Sequence, residues 1–325
     1  MDAWGILSTL TGARGPSGHE GAVIAAAEEL LAPLCHTTHS DCMGNIFGVV
    51  HSAAGDAKTV LLEAHLDEIG VLITGREKNF YTFKNIGGID RRVWAGLELE
   101  ILTSPSIPAV VACLPPHVSK GEDEYSELYI DAGGMDIPIG TPGVFARGLF
   151  RSGNCASAPG LDNRAGFCAL VLMLDMLDKS LLPVNIIVCG SVQEEIGGRG
   201  AAALAYEIMP DWAVAVDVTY GACPYSGQDT FPLGKGACIN RGPDCNRELT
   251  NSLINLAQRE AIPYQIEVTC GLSRTSATYM QTVASGIPTA VLSVPLRYMH
   301  TPTEMLCLDD IGTAANLLKA WVMSL

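Results

Sequence analysis

Histidines and carboxylates recur at the ends of apolar runs in this chain. They are His65 and Asp67 in AHLDEIG, Asp162 in GLDNRAG, Glu194 and Glu195 in SVQEEIGG, Asp217 in AVDVT and His300 in RYMHTP. Imidazole nitrogen and carboxylate oxygen, without cysteine, are ligands suited to divalent zinc, cobalt or manganese. Such cations lower the pKa of a bound water and polarise a carbonyl, so the set points to hydrolysis. In His-x-Asp, alternation puts both side chains on one side of a strand, where Asp67 can orient the His65 ring. Glu194 and Glu195 are adjacent acids behind a buried run with only Arg199 close by, which is costly unless cations pair with them. Singly, Asp162 reads as a helix N-cap, and the others as core or turn residues. Together, their placement at strand ends favours one site.

The elements that must position these residues follow from periodicity. Residues 18–34 read as a helix, and TVLLEAH as a strand covered on both faces. From Gly70 to about Ser157 come short β-prone pieces (GVLITG, NFYTFKNIG, LELEILT, PAVVACL, ELYIDAGG, GVFARGLF) densely punctuated by Gly and Pro, with no convincing helix. That texture predicts a small inserted β-barrel or sandwich. Helix and strand then alternate: a helix over residues 162–178, the strand VNIIVCGS, the helix GRGAAALAYEIM and the strand WAVAVDV. NRELTNSLINLAQREA reads as a helix, QIEVTC and PTAVLSV as strands, and DDIGTAANLLKAWVMSL as a closing helix. The expected fold class is α/β, a mostly parallel sheet sandwiched by helices, with residues 1–67 and 160–325 forming one domain and 68–159 the insertion. In such sheets, sites form beyond the carboxyl ends of the strands, where His65, Glu194, Asp217 and His300 all fall.

Composition limits the alternatives. With 325 residues, 48% hydrophobic and 17% charged, the chain can build a large core and is not disordered. Its 35 acidic and 20 basic residues give a net charge of -15, which argues against nucleic acid and anionic membrane as partners. No apolar stretch is long enough to span a bilayer. The eleven cysteines include no Cys-x-x-Cys pair, and Cys113, Cys168 and Cys189 lie in apolar runs. Reduced, buried thiols and the absence of a leader-like N-terminus point to the cytoplasm. GGRGAA (197–202) lacks the spacing of a nucleotide-binding loop and reads as a tight turn that lets Glu194 and Glu195 face inward. IGGIDRRVWAG sets Arg91 and Arg92 beside Trp94, an expected surface or subunit contact.

The five motifs AHLDEIG, LDNRAG, VQEEIGGRG, AVDVT and RYMHTP, in this order over nearly the whole chain, resemble those of metallopeptidase family 42, the glutamyl-aminopeptidase and cellulase-M-like enzymes. The resemblance implies a phosphorylase/hydrolase-like α/β fold whose inserted barrel is a dimerisation domain. It implies two divalent metal ions per subunit, zinc or cobalt first and manganese also compatible. Asp162 then bridges both metals, His65 and Asp217 complete one site, and Glu195 and His300 complete the other. Glu194 becomes the general base and Asp67 the partner of His65. The implied activity is removal of N-terminal residues from short peptides, by a homo-oligomer built of dimers and assembling to a dodecamer.

One stretch departs from the family. Where its members carry Gly-Thr-Asp-Ala near the substrate pocket, this chain has Arg274-Thr275-Ser276-Ala277. Loss of an acid and gain of a base there make Arg274 and Ser276 candidate substrate residues, with Arg274 favouring an acidic or polar side chain. The same ligand logic would also serve a related two-metal deacylase or carboxypeptidase, or persist in a catalytically silent assembly protein. A glycosidase using Glu194 and Glu195 is disfavoured, because neighbouring residues do not readily flank a glycosidic bond from opposite sides.

Overall fold

The computed structural model describes residues 1–112, 114, 117, 128–227 and 229–325. An eleven-stranded sheet forms its frame. Four strands at its centre run parallel: Asn185–Ser191, Thr59–His65, Trp212–Tyr220 and Thr289–Arg297, in that spatial order. The expectation of a mostly parallel sheet holds for this centre, whereas both margins are antiparallel. Thr37–Ser40 and Ile46–Val50 flank one side, and Met305–Cys307, Cys155–Ser157 and Phe150–Ser152 the other. Ala237–Arg241 joins Thr289–Arg297 antiparallel, and Tyr264–Val268 pairs with it in parallel as a two-stranded annex.

Alternation along the central strands explains why helices cover both faces. Val60, Leu62, Ala64, Val214, Val216, Leu292 and Val294 point into one large core. Against them pack the helices Ala3–Gly12, Gly21–Leu31, Leu161–Asp175, Arg247–Arg259 and Leu308–Val322. Leu61, Cys189, Ala213, Ala215 and Val291 point the other way, onto Arg199–Ile208 and Ser276–Met280. Each fully buried Leu or Val contributes about 1.5–3 kcal/mol, so a strand buried on both faces is strongly held. His65 and Asp217 fall on the second face, in phase with Leu61 and Ala215, at the carboxyl ends of their strands.

The insertion closes into a six-stranded barrel of Gly70–Glu77, Phe80–Ile86, Tyr129–Asp131, Ile107–Ala112, Glu98–Ile101 and Pro142–Phe145. It has its own core of Val71, Ile73, Tyr81, Trp94, Leu99, Ile130 and Phe145. One helical turn, Arg91–Trp94, interrupts the β pattern, capped by Asp90. It exists because Trp94 is drawn inward to plug the barrel, its Nε1 donating to Asn85 Oδ1 at 3.0 Å. Arg92 pairs with Asp90. The hairpin Phe150–Ser157 hydrogen-bonds into the large sheet, not into the barrel. The ten cysteines among the described residues are unpaired; Cys113 lies outside those residues.

Candidate active site

At the carboxyl end of the parallel centre, His65, Asp67, Asp162, Glu194, Glu195, Asp217 and His300 converge. His65 ends its strand opposite Ser191, whose own strand then turns into Glu194 and Glu195. Asp217 lies two residues past Ala215, the partner of Glu63, and therefore level with His65. Gln193 at φ 59° and Gly197 at φ 117° turn the chain so that both glutamates face inward. Gly198 allows the next helix to pass closely under Tyr279. The Glu194 carbonyl accepts from the Gly197 and Gly198 amides at 2.8 and 3.0 Å, closing this turn. Asp162 was expected to open a helix, but Asp162 and Asn163 have non-helical backbones within Leu161–Asp175, and regular helix follows them.

The two imidazoles present the same nitrogen. His65 Nδ1 lies 3.1 Å from the Asp67 carbonyl oxygen, and His300 Nδ1 lies 2.6 Å from that of Gly88. A carbonyl only accepts, so each Nδ1 carries a hydrogen and each ring, when neutral, turns its Nε2 lone pair into the site. Asp162 lies between them, with Oδ1 3.2 Å from His65 Nε2 and Oδ2 3.3 Å from His300 Nε2. Glu195 Oε1 is 3.3 Å from His300 Nε2, and Asp217 Oδ1 and Glu194 Oε2 are each 3.9 Å from His65 Nε2.

These spacings fit cations. Two ligand atoms at opposite corners of a tetrahedral angle, each about 2.0–2.1 Å from zinc, stand about 3.3 Å apart. Glu195 Oε1 is buried and finds no hydrogen-bond partner among the described residues. Candidate ligand atoms of His65, Asp162 and Glu195 lie within 4.8 Å of one another. Without cations the acids crowd one another. Burial above all, with Asp217, Glu195 and Asp67 adding to it against His65, pushes Glu194 up to about 9. Burial likewise pushes Asp217 up to about 8, with Asp162 reinforcing it. His300 rises to about 11, because the nearby Asp162 and Glu195 carboxylates, each with an oxygen 3.3 Å from its Nε2, outweigh its burial. Positive charge bound among these acids would relieve their crowding.

The surrounding groups tie the loops together. Asp67 accepts from the amides of Glu194 at 3.0 Å and Glu195 at 3.2 Å, and from Ser17 Oγ at 2.6 Å. These bonds and His65 hold it ionised, below the usual carboxylate range despite complete burial. Three residues that fix these loops, Glu304, Glu68 and Arg164, escaped sequence reasoning. Glu304, buried, accepts from the backbone amides of both Asp162 and His300, at 3.1 and 3.0 Å. Glu68 and Arg164 form a buried ion pair at 2.7 Å, joining the residue after Asp67 to the residue two beyond Asp162. The acids in HLDE and TPTE were the available signals; neither spacing reveals what they hold.

A cavity of about 860 Å³ opens onto the cluster. Arg274 lines it and is exposed. Ser276 does not face the cavity: it is buried, and its Oγ donates to Glu63 Oε1 at 2.9 Å, which also accepts from Ser191 Oγ at 2.5 Å. Glu267, not marked by the sequence reading, also lines the wall. No helix among the described residues is long and apolar enough to cross a membrane.

Known proteins share this organisation. The chain is 30% identical to the lysyl aminopeptidase of Pyrococcus furiosus, across 98% of this chain and 96% of that protein. An aminopeptidase of the archaeon Desulfurococcus kamchatkensis superposes with a TM-score of 0.92 at 29% identity, covering 99% of this chain and 95% of that one. The TET1 peptidase of Pyrococcus horikoshii, which can assemble into a tetrahedron or a large octahedral shell, gives a TM-score of 0.87 at 29% identity, with both chains fully covered. The M42 glutamyl aminopeptidase model matches residues 44–317, and this protein therefore belongs to that family of metal-dependent aminopeptidases.

Proposed function

We propose that the chain removes N-terminal residues from short peptides with two divalent ions, zinc or cobalt first and manganese as the alternative. The observation that carries this reading is the Asp162 carboxylate, which offers one oxygen toward each histidine. His65 and Asp217 would hold one ion, Glu195 and His300 the other, and Asp162 both. The ions, when bound, would supply Lewis acidity that lowers the pKa of water and polarises the scissile carbonyl. Glu194 is the general base: it takes the proton of the attacking water and passes it to the leaving amine. Asp67 keeps the His65 ring oriented and the Glu194–Glu195 turn in place through its two backbone bonds. The free amino terminus of the peptide docks at the acids of the cluster, which makes the enzyme an exopeptidase.

Arg274 would meet a carboxylate or polar group of the peptide at the wall. Ser276, engaged by Glu63, bears on substrate choice only by fixing the turn that carries Arg274. We infer assembly through the barrel into dimers and then a dodecamer, an arrangement supported by the likeness to TET-type shells. The unpaired cysteines among the described residues favour the cytoplasm. Chelation should abolish hydrolysis of aminoacyl amides, and zinc or cobalt should restore it. Glu194→Gln should retain bound metal while lowering kcat about 10²–10⁴-fold. Activity that survives thorough chelation would refute the two-metal mechanism.

A further inference from the structure

Beyond the cluster of acids and histidines, the cavity wall holds one more acid, Glu267. It stands on the annex strand Tyr264–Val268, opposite Asn240, and leans back over the sheet. Thr219 Oγ1 donates to its Oε1 at 2.7 Å, and the polar side chains of Asn240 and Ser293 add to the setting that favours its charged form against burial. These three residues lie on three different strands, and the bond from Thr219 ties the carboxylate to the strand that carries Asp217. Thr219 is two residues beyond Asp217 on the same face, about 7 Å along the strand, and Ser293 is the register partner of Asp217. Glu267 is therefore separated from the cluster by about the length of one amino-acid side chain.

These polar neighbours are all neutral, and among the described residues no cation pairs with it. Arg274 is the one Lys or Arg lining the cavity among the described residues, and it is exposed to water. Charge held in a partly buried position is screened less than charge in solvent, so Glu267 dominates the inner wall and Arg274 the rim.

We propose that Glu267 is a specificity-determining residue that receives the cationic side chain of lysine or arginine as the first residue of the substrate. The inference rests on the reading that the substrate amine docks at the cluster. With amine and scissile carbonyl there, the first side chain is the part that leaves the cluster, and a long straight cation spans the interval to Glu267. Leucine is too short to reach the carboxylate, and glutamate brings like charge to it. Arg274 then meets a carboxylate further along the peptide.

The test uses the metal-loaded protein with lysyl, leucyl and glutamyl amides, in the parent, Glu267→Gln and Arg274→Ala. The parent should favour lysyl over glutamyl amide in kcat/KM by about tenfold or more, and Glu267→Gln should lower the lysyl-to-leucyl ratio by about tenfold. A Glu267→Gln protein that keeps the parent ratio overturns the proposal. So does a parent preference for glutamyl amide that Arg274→Ala abolishes. Should Glu267→Gln fail to fold, the parent panel alone decides. Failure to cleave any of the three amides would instead overturn the amine-docking reading beneath the proposal.

Discussion

Arg164 is fully buried and Glu68 nearly so, with Nη2 and Oε1 2.7 Å apart. The pair links the two loops that deliver Asp67 and Asp162. Glu68 Oε1 also accepts from the Gly15 amide at 3.0 Å, while Glu68 Oε2 and Arg164 Nε and Nη1 have no hydrogen-bond partner among the described residues. Replacing Arg164 with Met keeps most of the volume but strands a buried carboxylate, which should cost about 3–5 kcal/mol. Converting Glu68 to Gln in the same chain removes the stranded charge and keeps an oxygen for Gly15. The double variant should therefore regain most of the loss, since a buried pair is on balance nearly neutral against uncharged replacements of similar size. Urea unfolding of the parent, both single variants and the double variant would measure the coupling. Metal content and protein concentration must be held fixed, because both shift apparent stability by mass action. Single variants within about 1 kcal/mol of the parent, or a double variant no more stable than Arg164→Met, would refute the reasoning.

Two other outcomes follow from the site. Gly198→Ala should impair both folding and turnover, because its Cβ would come 2.0 Å from Tyr279 Cδ2 at a φ of 60°; adding Tyr279→Ser should recover part of the stability, leaving a backbone cost of about 1–2 kcal/mol, and full activity in Gly198→Ala alone would contradict this. The metal-stripped protein should lose stability as pH rises from about 5 to 9, since Asp217, Glu194 and His300 bind protons more tightly folded, with values raised to about 8, 9 and 11, so the folded state holds more protons than the unfolded chain throughout that window. Denaturation across pH, with and without added zinc, checks this, and stability that increases over that range in the stripped protein would contradict it.

The central strands were legible because apolar runs such as TVLLEAH and WAVAVDV carry their own burial signal, and the first and last of the expected helices are amphipathic over several turns. The helix Ala3–Gly12 and the strand Ala237–Arg241 were not anticipated. The first is ten residues with an Asp2 cap and glycine at both its third and last positions, and the second is five residues bounded by glycines and containing a polar Asn240. Such pieces owe their structure to neighbours: the helix to Leu161–Asp175, the strand to its pairing with Thr289–Arg297. The same division runs through the site. His65, Glu194, Glu195, Asp217 and His300 announce themselves because each follows a strand-like run, and Asp162 because it stands just ahead of a helical one. Glu304 holds the Asp162 amide from 142 positions away, and Glu267 reaches Thr219 across 48. No local pattern encodes those meetings, which come into being only when the sheet is assembled.

The barrel reaches the candidate site through its backbone. Gly88 supplies the carbonyl that keeps the hydrogen on His300 Nδ1, and so decides that Nε2 faces Asp162 and Glu195. Its neighbour Gly87, at φ 77°, leaves no room for a side chain: a Cβ there would stand 2.7 Å from Ile69 Cγ2 and 3.3 Å from Glu195 Oε2. One histidine is therefore oriented from within the sheet by Asp67, and the other from the barrel across 212 residues of chain. A displacement of the barrel by about 1 Å would lengthen the 2.6 Å bond to His300 beyond good hydrogen-bond distance while leaving His65 untouched. The two halves of the proposed ligand set thus depend on different parts of the fold. The His300–Glu195 half is the one exposed to whatever the barrel packs against.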